Sequence, residues 1–352
     1  MNRTATTSTY QTTTAIPDAV WEGFVANEPL GSFLQSAAWG EFKEKWGWRA
    51  RRVAVRRDGV LAAGAQVLFR PLPLGRSFAY IPRGPILPDD DRSLLATLLN
   101  EVHQLCRAEG ALLLTVEPNW PLPTEGEERL KSLRFREAIT TIQPSATIVL
   151  DIRPPEEEIL MQMHSKWRYN IRLSGRKEVK VRTGGAEDFD IYHNLTATTG
   201  TRNDFATRPR GYYEDMWAAF QPDRACLFIA EYENRPLAAI IVVRVGKRAT
   251  YLYGASSNEE RNRMPNHALQ WAAIRWARTE GCHWYDFWGI PPEVPVDGEV
   301  EEYGEGGLWG VYRFKQGFGG QVVKYPGAFD YPYSRLGYFL YKQYRKRMHA
   351  EG

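Results

Sequence analysis

Hydrophobic positions change period several times along this chain, and the changes predict alternating strands and helices. Residues Arg52–Arg56 and Leu61–Phe69 alternate or run apolar, and the Asp58-Gly59 pair between them is a hairpin signal. The elements predicted next are strand Ala79–Gly84, a helix over 92–108 and strand Ala111–Glu117. The pattern therefore predicts an α/β unit in the first third of the chain.

The same order of elements recurs in the second half. Leu237-Ala-Ala matches Leu61-Ala-Ala, and Thr279-Glu-Gly281 matches Ala108-Glu-Gly110. The elements of the second copy are strands Cys226–Tyr232, Leu237–Val243 and Ala249–Gly254, a helix over 266–279 and strand His283–Phe287. We predict twin α/β domains with a cleft between or beside them, and the alternative is a chance likeness of two generic α/β units.

Composition narrows the class of protein. A chain of 352 residues exceeds the size at which one core keeps growing. The net charge is only +3, so contact with nucleic acid or membrane must come from local patches.

Three widely spaced cysteines show no metal-ligand spacing, which predicts buried thiols in a reducing compartment and no metal site. The longest apolar run, Leu237–Val243, is too short to span a bilayer, so we expect a cytoplasmic protein. Residues 1–15 are Thr-rich, and we expect them to be disordered.

A basic stretch separates the two copies. Residues 161–177 predict a helix that breaks near Gly175, and the span from Lys166 to Arg182 holds seven Lys or Arg and one acid. Trp167 and Tyr169 interleave with these cations, and such residues stack on bases. Phosphate binding is the functional interpretation, and a solvated helix face is the alternative. The candidate ligands are Lys166, Arg168, Arg172, Arg176 and Lys177.

Near the C-terminus, residues 308–320 place a single lysine, Lys315, among glycines and aromatics after an acidic loop. Glycine permits bent backbone and close ligand approach. We predict a glycine-bent strand that presents Lys315, and the alternative is a bulged edge strand without chemistry. Residues 333–348 then form a basic, aromatic helix candidate, which we expect to dock on the body of the protein, with an anionic membrane surface as the alternative.

Six motifs together resemble the Fem (FemABX) family of peptidoglycan bridge-forming aminoacyltransferases. They are Phe33-Leu-Gln-Ser36 with Trp39 and Lys43, the basic Lys166–Arg172, Tyr251–Ser257, Pro265–Gln270, Tyr285–Gly289 and Tyr312–Gly319. The resemblance implies two tandem acetyltransferase-like (GNAT) domains. The first would span 16–150, joined by the C-terminal 325–352, and the second 151–324. The chain lacks heptads for the helical arm of larger members, so it is similar to the compact, arm-less FemX-like ones.

The family resemblance implies the reaction and its partners. The expected activity is transfer of an amino acid from aminoacyl-tRNA to an amino group on the stem peptide of UDP-MurNAc-peptide or lipid II. No cofactor is expected beyond aminoacyl-tRNA as co-substrate. We expect a monomer, with peripheral membrane contact as an option. Absence of the arm favours the soluble, nucleotide-linked acceptor.

The same resemblance implies roles for particular residues. Lys315, with Phe314 beside it, is the expected catalytic residue, serving the oxyanion or the tRNA terminus. Lys43 and Trp39 are expected near the phosphates of the acceptor, with Arg208 or Arg210 as a second phosphate ligand. Tyr213 and Tyr253 are expected acceptor contacts. Neither Glu117 nor Asp286 has sequence evidence for a role as general base.

Two rival functions remain at this stage. An acyl-CoA-dependent GNAT N-acetyltransferase needs a glycine-rich turn before a helix, whereas residues 261–267 contain Pro265 and no glycine. A non-catalytic RNA- or envelope-associated binding protein would use the basic stretch at 166–182 and would not depend on Lys315.

Overall fold

The computed structural model describes residues 10–87, 91–203, 206–300 and 302–350. The chain divides into two compact units, Met1–Gln143 with Tyr325–Gly352, and Pro144–Lys324. The boundary therefore precedes the expected residue 150, because strand Ala146–Asp151 pairs in the second sheet. No helix within the described ranges is long and apolar enough to cross a membrane.

The first unit holds a seven-stranded sheet of order β1-β2-β3-β4-β5-β14-β6. Its strands are β1 (Tyr10–Thr13), β2 (Arg49–Arg57), β3 (Val60–Leu72), β4 (Arg76–Pro82), β5 (Ala111–Glu117), β6 (Arg136–Glu137) and β14 (Phe329–Pro332). Its helices are α1 (Asp18–Asn27), α2 (Ala37–Lys45), α3 (Arg92–Ala108), α4 (Gly126–Ser132) and α11 (Arg335–Ala350).

The expectation of disorder over 1–15 is wrong for the segment that begins at Tyr10. Residues 1–9 lie outside the described residues. Strand β1 pairs antiparallel with β2, and the Tyr10 hydroxyl donates a hydrogen bond to Asp91. Threonine-rich composition signalled disorder, but β-branched threonines also suit a strand when a sheet edge is available.

The second unit holds a seven-stranded sheet of order β13-β7-β12-β11-β10-β9-β8. Its strands are β7 (Ala146–Asp151), β8 (Lys180–Gly184), β9 (Ala225–Tyr232), β10 (Arg235–Val245), β11 (Arg248–Ser256), β12 (Trp284–Gly289) and β13 (Gln321–Lys324). Its helices are α5 (Glu156–Gln162), α6 (Ser165–Arg176), α7 (Phe189–Asn203), α8 (Arg210–Ala219), α9 (Pro265–Thr279) and α10 (Gly307–Gln316).

The two sheets repeat one topology, which confirms the predicted duplication. In each, two hairpins lead to a parallel pair, β4 with β5 and β11 with β12. The crossover helix between the parallel strands is α3 or α9, and each packs apolar residues into its own core. The second strand of each parallel pair also has an antiparallel neighbour, which is β14 beside β5 in the first sheet and β7 beside β12 in the second. The strand that completes the first sheet thus comes from the C-terminal part of the chain.

Two predicted elements of the second unit differ in the structure. The helix expected over 161–177 is two helices, since α5 ends at Gln162 and α6 begins at Ser165. The segment from Leu308 to Gly320 is not a bent strand, because Gly307–Gln316 is helix α10. Tyr312 and Lys315 are its buried residues, three positions apart, which is helical spacing. Its glycines lie mainly at the helix ends, where Gly319 and Gly320 have positive φ.

The Phe33–Ser36 motif explains how α2 is held. Ser36 caps α2 by accepting a hydrogen bond from Trp39 N at 3.2 Å. The fully buried Gln35 amide donates to Pro82 O at 2.7 Å on β4 and accepts from Gln66 N at 2.8 Å on β3. The motif therefore fixes the start of α2, and with it Lys43, against the first sheet.

We expect Gln35→Leu to lower the free energy of unfolding by about 3 kcal/mol, because it leaves a buried carbonyl and a buried N–H unpaired. Denaturant unfolding measures this. Gln104→Leu, at an exposed position of α3, is the matched control and should change stability by less than about 0.5 kcal/mol. Equal effects of the two substitutions would contradict the structural role of the motif.

Candidate functional site

The Lys315 amine lies inside the second unit, near the C-terminal end of α10. The residue is only 4% exposed, and its Nζ donates to the main-chain oxygens of Gly289 at 2.7 Å and Trp288 at 3.2 Å. An ammonium has three N–H bonds and a neutral amine has two and a lone pair. With two carbonyls engaged, one proton or one lone pair of Lys315 is left for a reactant.

Burial sets the protonation state of this amine. Desolvation lowers the pKa of Lys315 from its ordinary value to about 7, and the Asp286 carboxylate opposes that shift. At neutral pH the amine is thus divided between charged and neutral forms. A group in that state accepts or donates a proton readily, which an ordinary surface lysine does not.

A β-bulge directs the two carbonyls at Lys315. The pairing of β12 with β7 shifts register between Asp286 and Gly289, and Trp288 has φ of +62°, a left-handed conformation that is uncommon for a residue other than glycine. The bulge falls at the end of β12, where the strand would otherwise continue its ladder. The main chain there is therefore shaped to receive an amine.

Asp286 holds this bulge together. Its buried carboxylate accepts hydrogen bonds from the Thr147 hydroxyl, from Trp288 N at 2.8 Å and from the Arg248 guanidinium at 3.2 Å. A carboxylate with three donors already in place is a poor candidate for abstracting a proton from a reactant. Asp286 is a positioning residue, a role the sequence did not reveal.

The parallel strands β11 and β12 separate next to the amine. They pair only from Arg248 to Thr250, opposite Trp284 to Asp286. The next residue of β11, Tyr251, has its ring centroid 5.6 Å from Lys315 Nζ. The amine therefore lies close to both strands, near the point where their ladder ends.

An aromatic cluster joins α6 to α10. Trp167 Nε1 donates to Phe314 O at 2.9 Å, and the His267 ring lies 5.2 Å from the Phe314 ring. A Cβ on Gly317 would meet the Trp167 ring at 2.2 Å, so this position must remain glycine. Contact between the predicted tRNA-binding helix and the helix that carries Lys315 is therefore direct.

His267 is a site neighbour that sequence reasoning did not single out. Asn170 Nδ2 lies 3.2 Å from His267 Nε2, so the amide donates and the ring accepts. Burial, with a smaller contribution from Lys166, lowers the pKa of His267 to about 4. The imidazole is therefore neutral at physiological pH. Its place in the Pro265–Gln270 motif was the available signal.

Helix α6 presents only part of the predicted basic set to solvent. Lys166, Arg172 and Arg176 are exposed on one face with Tyr169, whose ring lies 5.2 Å from the Arg176 guanidinium. We call these four residues the α6 basic face. The other two predicted ligands bind main-chain oxygens, Arg168 that of Met163 and Lys177 that of Asn262.

The structure separates Arg208 from Arg210, which sequence reasoning could not. Arg210 is paired with Asp190 at 2.6 Å and with Glu214. Arg208 is exposed, with its guanidinium 5.4 Å from the Tyr212 ring centroid, and it forms no ion pair among the residues that the structure describes. Arg208 is therefore the better placed of the two to bind an external anion.

Tyr213 and Tyr253 contact each other in the second unit, with ring centroids 5.2 Å apart. Tyr213 is buried and its hydroxyl accepts from Arg208 N at 3.2 Å. Burial raises the pKa of Tyr253 well above its usual value, so it remains a neutral phenol. The two tyrosines therefore pack together next to the main chain of Arg208.

Lys43 and Trp39 lie in the first unit, on α2. Lys43 Nζ is 5.3 to 5.7 Å from the ring centroids of Trp48, Phe42 and Trp39. Aromatic faces attract a cation and hold it in a defined position. The amine is thus oriented by an aromatic cage.

Lys315 lies outside two large cavities of the second unit. A cavity of about 690 Å³ in the second unit is lined by residues such as Arg153, Lys247 and His283, at the start of β12. A second, of about 550 Å³, is lined by Tyr312, Gln316 and the acidic loop. Lys315 lines neither. Within the described residues, no group of three or more His, Cys, Asp or Glu could hold a metal ion.

A model of the FemAB family matches residues 16–235 and 227–346. The chain belongs to the FemAB family. Lipid II:glycine glycyltransferases of Staphylococcus epidermidis and Staphylococcus aureus are 26% and 27% identical to it, each over 93% of this chain and 94% of the relative.

Solved structures agree with this family. The crystal structure of FemX is similar with a TM-score of 0.84 and 26% identity, over 94% of this chain and 99% of that one. A tandem GNAT protein from the clavulanic acid biosynthesis pathway shares the fold, with a TM-score of 0.54 and 12% identity, over 92% and 98% of the two chains. The expected FemAB membership, the tandem acetyltransferase-like fold and the class of aminoacyltransferase are confirmed. The roles of individual residues stay predictions.

We expect Asp286→Asn to lower the pKa of Lys315 below its value of about 7, because the substitution removes the charge that favours the ammonium form. Titration of the Lys315 side chain by NMR, with labelled lysine and assignment by Lys315→Arg, measures it. Asp297→Asn, at an exposed acid of the same unit, should leave the pKa unchanged. A Lys315 that titrates near 10.5 in the wild-type protein would refute the account of its burial.

Proposed function

We propose that this chain transfers an amino acid from aminoacyl-tRNA to a free amino group of the stem peptide of a peptidoglycan precursor, building the interpeptide bridge. Family membership and the names of the relatives support it. The single observation that carries it is the buried Lys315 amine with two carbonyl partners and a pKa near 7.

The reaction requires two proton transfers, one from the attacking amine and one to the departing ribose oxygen. The acceptor amine attacks the ester carbonyl, a C–N bond forms, and the C–O bond to the terminal ribose breaks. Neutral Lys315 takes the proton from the attacking nitrogen through its lone pair, and the resulting ammonium returns it to the departing ribose oxygen. While charged, it also stabilises the tetrahedral oxyanion. The ester is already activated, so alignment and this group suffice.

The remaining cations suit the phosphates of the two substrates. The α6 basic face, with its exposed tyrosine, suits the tRNA backbone and an unpaired base. Arg208, with Tyr213 and Tyr253 beside it, suits a phosphate of the acceptor. Lys43 of the first unit stays the phosphate contact that the family resemblance implies.

Glycine and lipid II are the first substrate pair to test, because the relatives are named for them. The soluble UDP-linked precursor carries the same stem peptide and is the second acceptor. We propose that the protein acts as a monomer without a cofactor.

The acyl-CoA alternative is not supported. In the turn before α9, Glu260 and Met264 have positive φ and Pro265 occupies the first helical position. Proline has no N–H, so a pyrophosphate would lose a donor there. The relatives are glycyltransferases, so a purely non-catalytic binding role is not supported either.

We expect Lys315→Met to lower kcat by a hundredfold or more, on the order of the loss of one oxyanion donor, with little change in KM. The assay follows labelled amino acid from aminoacyl-tRNA into UDP-MurNAc-pentapeptide or lipid II. Lys180→Met, at an exposed lysine of the same unit, is the matched control. Full activity of Lys315→Met would overturn the proposed role of Lys315, and absence of transfer by the wild-type protein to either acceptor would overturn the function.

We expect Lys166→Glu combined with Arg172→Glu to raise KM for aminoacyl-tRNA by about tenfold and to weaken its salt dependence, because phosphate contacts are lost. KM for the acceptor should not change. Lys131→Glu combined with Arg134→Glu, exposed in the first unit, is the control. Equal effects of the two pairs would mean that only overall charge matters.

A further inference from the structure

Helix α11 has two chemically different faces. One face docks on the first unit, where Tyr338 is buried and the Tyr341 ring stacks on Phe78 at 5.6 Å between centroids. The close approach of the helix to β5 is visible at Gly337, where a Cβ would lie 3.2 Å from Leu112 Cβ. The expected docking of this segment on the body of the protein therefore accounts for only half of the helix.

The outer face carries three large apolar residues in the open. Leu336, Phe339 and Leu340 are 68%, 54% and 58% exposed. Their spacing of three and four residues places them together on one side of the helix. We call these three residues the α11 apolar stripe. Single exposed apolar residues are common, but a contiguous stripe marks an interaction surface.

Two described cations, Arg335 and Lys342, lie near this stripe on the same helix. Arg335 is exposed beside Leu336, and Lys342 lies 4.9 Å from the Tyr338 ring centroid. The sequence of α11 continues with Arg345, Lys346 and Arg347, and the helix contains no acidic residue. The side chains of those last three cations lie outside the described residues. An apolar stripe with cations and no acids on one helix is the pattern of a helix that lies in a lipid headgroup region.

We propose that α11 docks the protein on an anionic lipid surface, with Leu336, Phe339 and Leu340 entering the headgroup boundary and the flanking cations meeting the lipid phosphates. Charge complementarity favours this occupant over a second copy of the chain. In a two-fold dimer built on α11, each cation-rich helix would face its equal. Anionic lipids instead attract exposed cations such as Arg335.

Membrane docking is separate from the proposed transfer chemistry. It would bring the first unit to the surface that carries a lipid-linked acceptor, and would contribute nothing toward a soluble one. The two ideas therefore fail independently. Vesicles without any precursor test the docking, and transfer to UDP-MurNAc-pentapeptide in solution tests the chemistry.

The experiment uses the full chain and vesicles of phosphatidylcholine, with or without phosphatidylglycerol, in a sedimentation assay. We expect the wild-type protein to bind only the anionic vesicles, more weakly at high salt. The triple variant Leu336→Ser, Phe339→Ser, Leu340→Ser should lose binding by about tenfold or more. The control variant Val20→Ser, Val60→Ser, Ile139→Ser changes three exposed apolar residues elsewhere in the first unit and should bind as wild type.

Two further measurements, transfer to the soluble acceptor and vesicle binding of a charge-reversal variant, distinguish loss of membrane binding from misfolding. The triple α11 variant should retain transfer to the soluble acceptor, which shows that it is folded. Arg335→Glu with Lys342→Glu should also weaken vesicle binding, and more so at low salt. Wild-type protein that stays in solution with anionic vesicles would overturn the proposal. So would a triple variant that binds vesicles normally; a change of its oligomeric state would then identify the stripe as a protein interface.

Discussion

Two main-chain carbonyls of one β-bulge hold the buried Lys315 amine, and the rest of the second unit is arranged to keep them there. The bulge depends on Asp286, which binds Thr147, Arg248 and the Trp288 N–H together. Helix α10 delivers the amine from the other side, fixed to α6 through Trp167. A lysine taken out of water in this way loses most of its preference for the charged form, which makes it useful for proton transfer.

The two copies of the fold treat their parallel strands differently. In the first unit β4 and β5 stay paired as far as Pro82 and Glu117, and a buried Tyr80–Glu117 pair fills the strand ends. Glu117 also accepts from the main-chain N–H of Gln143, so its carboxylate is occupied and structural. In the second unit β11 and β12 separate after Thr250, and the lysine amine lies beside that gap. One topology thus supports a copy whose parallel strands stay paired and a copy whose parallel strands separate.

Much of the fold could be predicted from the sequence. Helices α3 and α9 and strand β5 have clear hydrophobic patterns, and the Asp58-Gly59 turn has the positive φ values of its hairpin type. Helix α10 was wrongly predicted as a strand because the four glycines of residues 308–320 hid the helical spacing of Tyr312 and Lys315. At the candidate site, the motif singled out Lys315, and its catalytic role stays a prediction. Asp286 and His267 were not, since their roles depend on a bulge and on packing between elements distant in sequence. Likewise, only ion pairs in three dimensions separate Arg210 from Arg208.

The central claim is that the neutral Lys315 amine takes the proton from the attacking amine. The most direct measurement is the pH dependence of the single-turnover transfer rate in the wild-type protein and in Asp286→Asn. The account predicts a rate that rises through an apparent pKa of about 7, with that limb displaced to lower pH in the variant. An identical limb in both proteins would assign it to the substrate amine and contradict the claim, as would a rate that falls as Lys315 loses its proton.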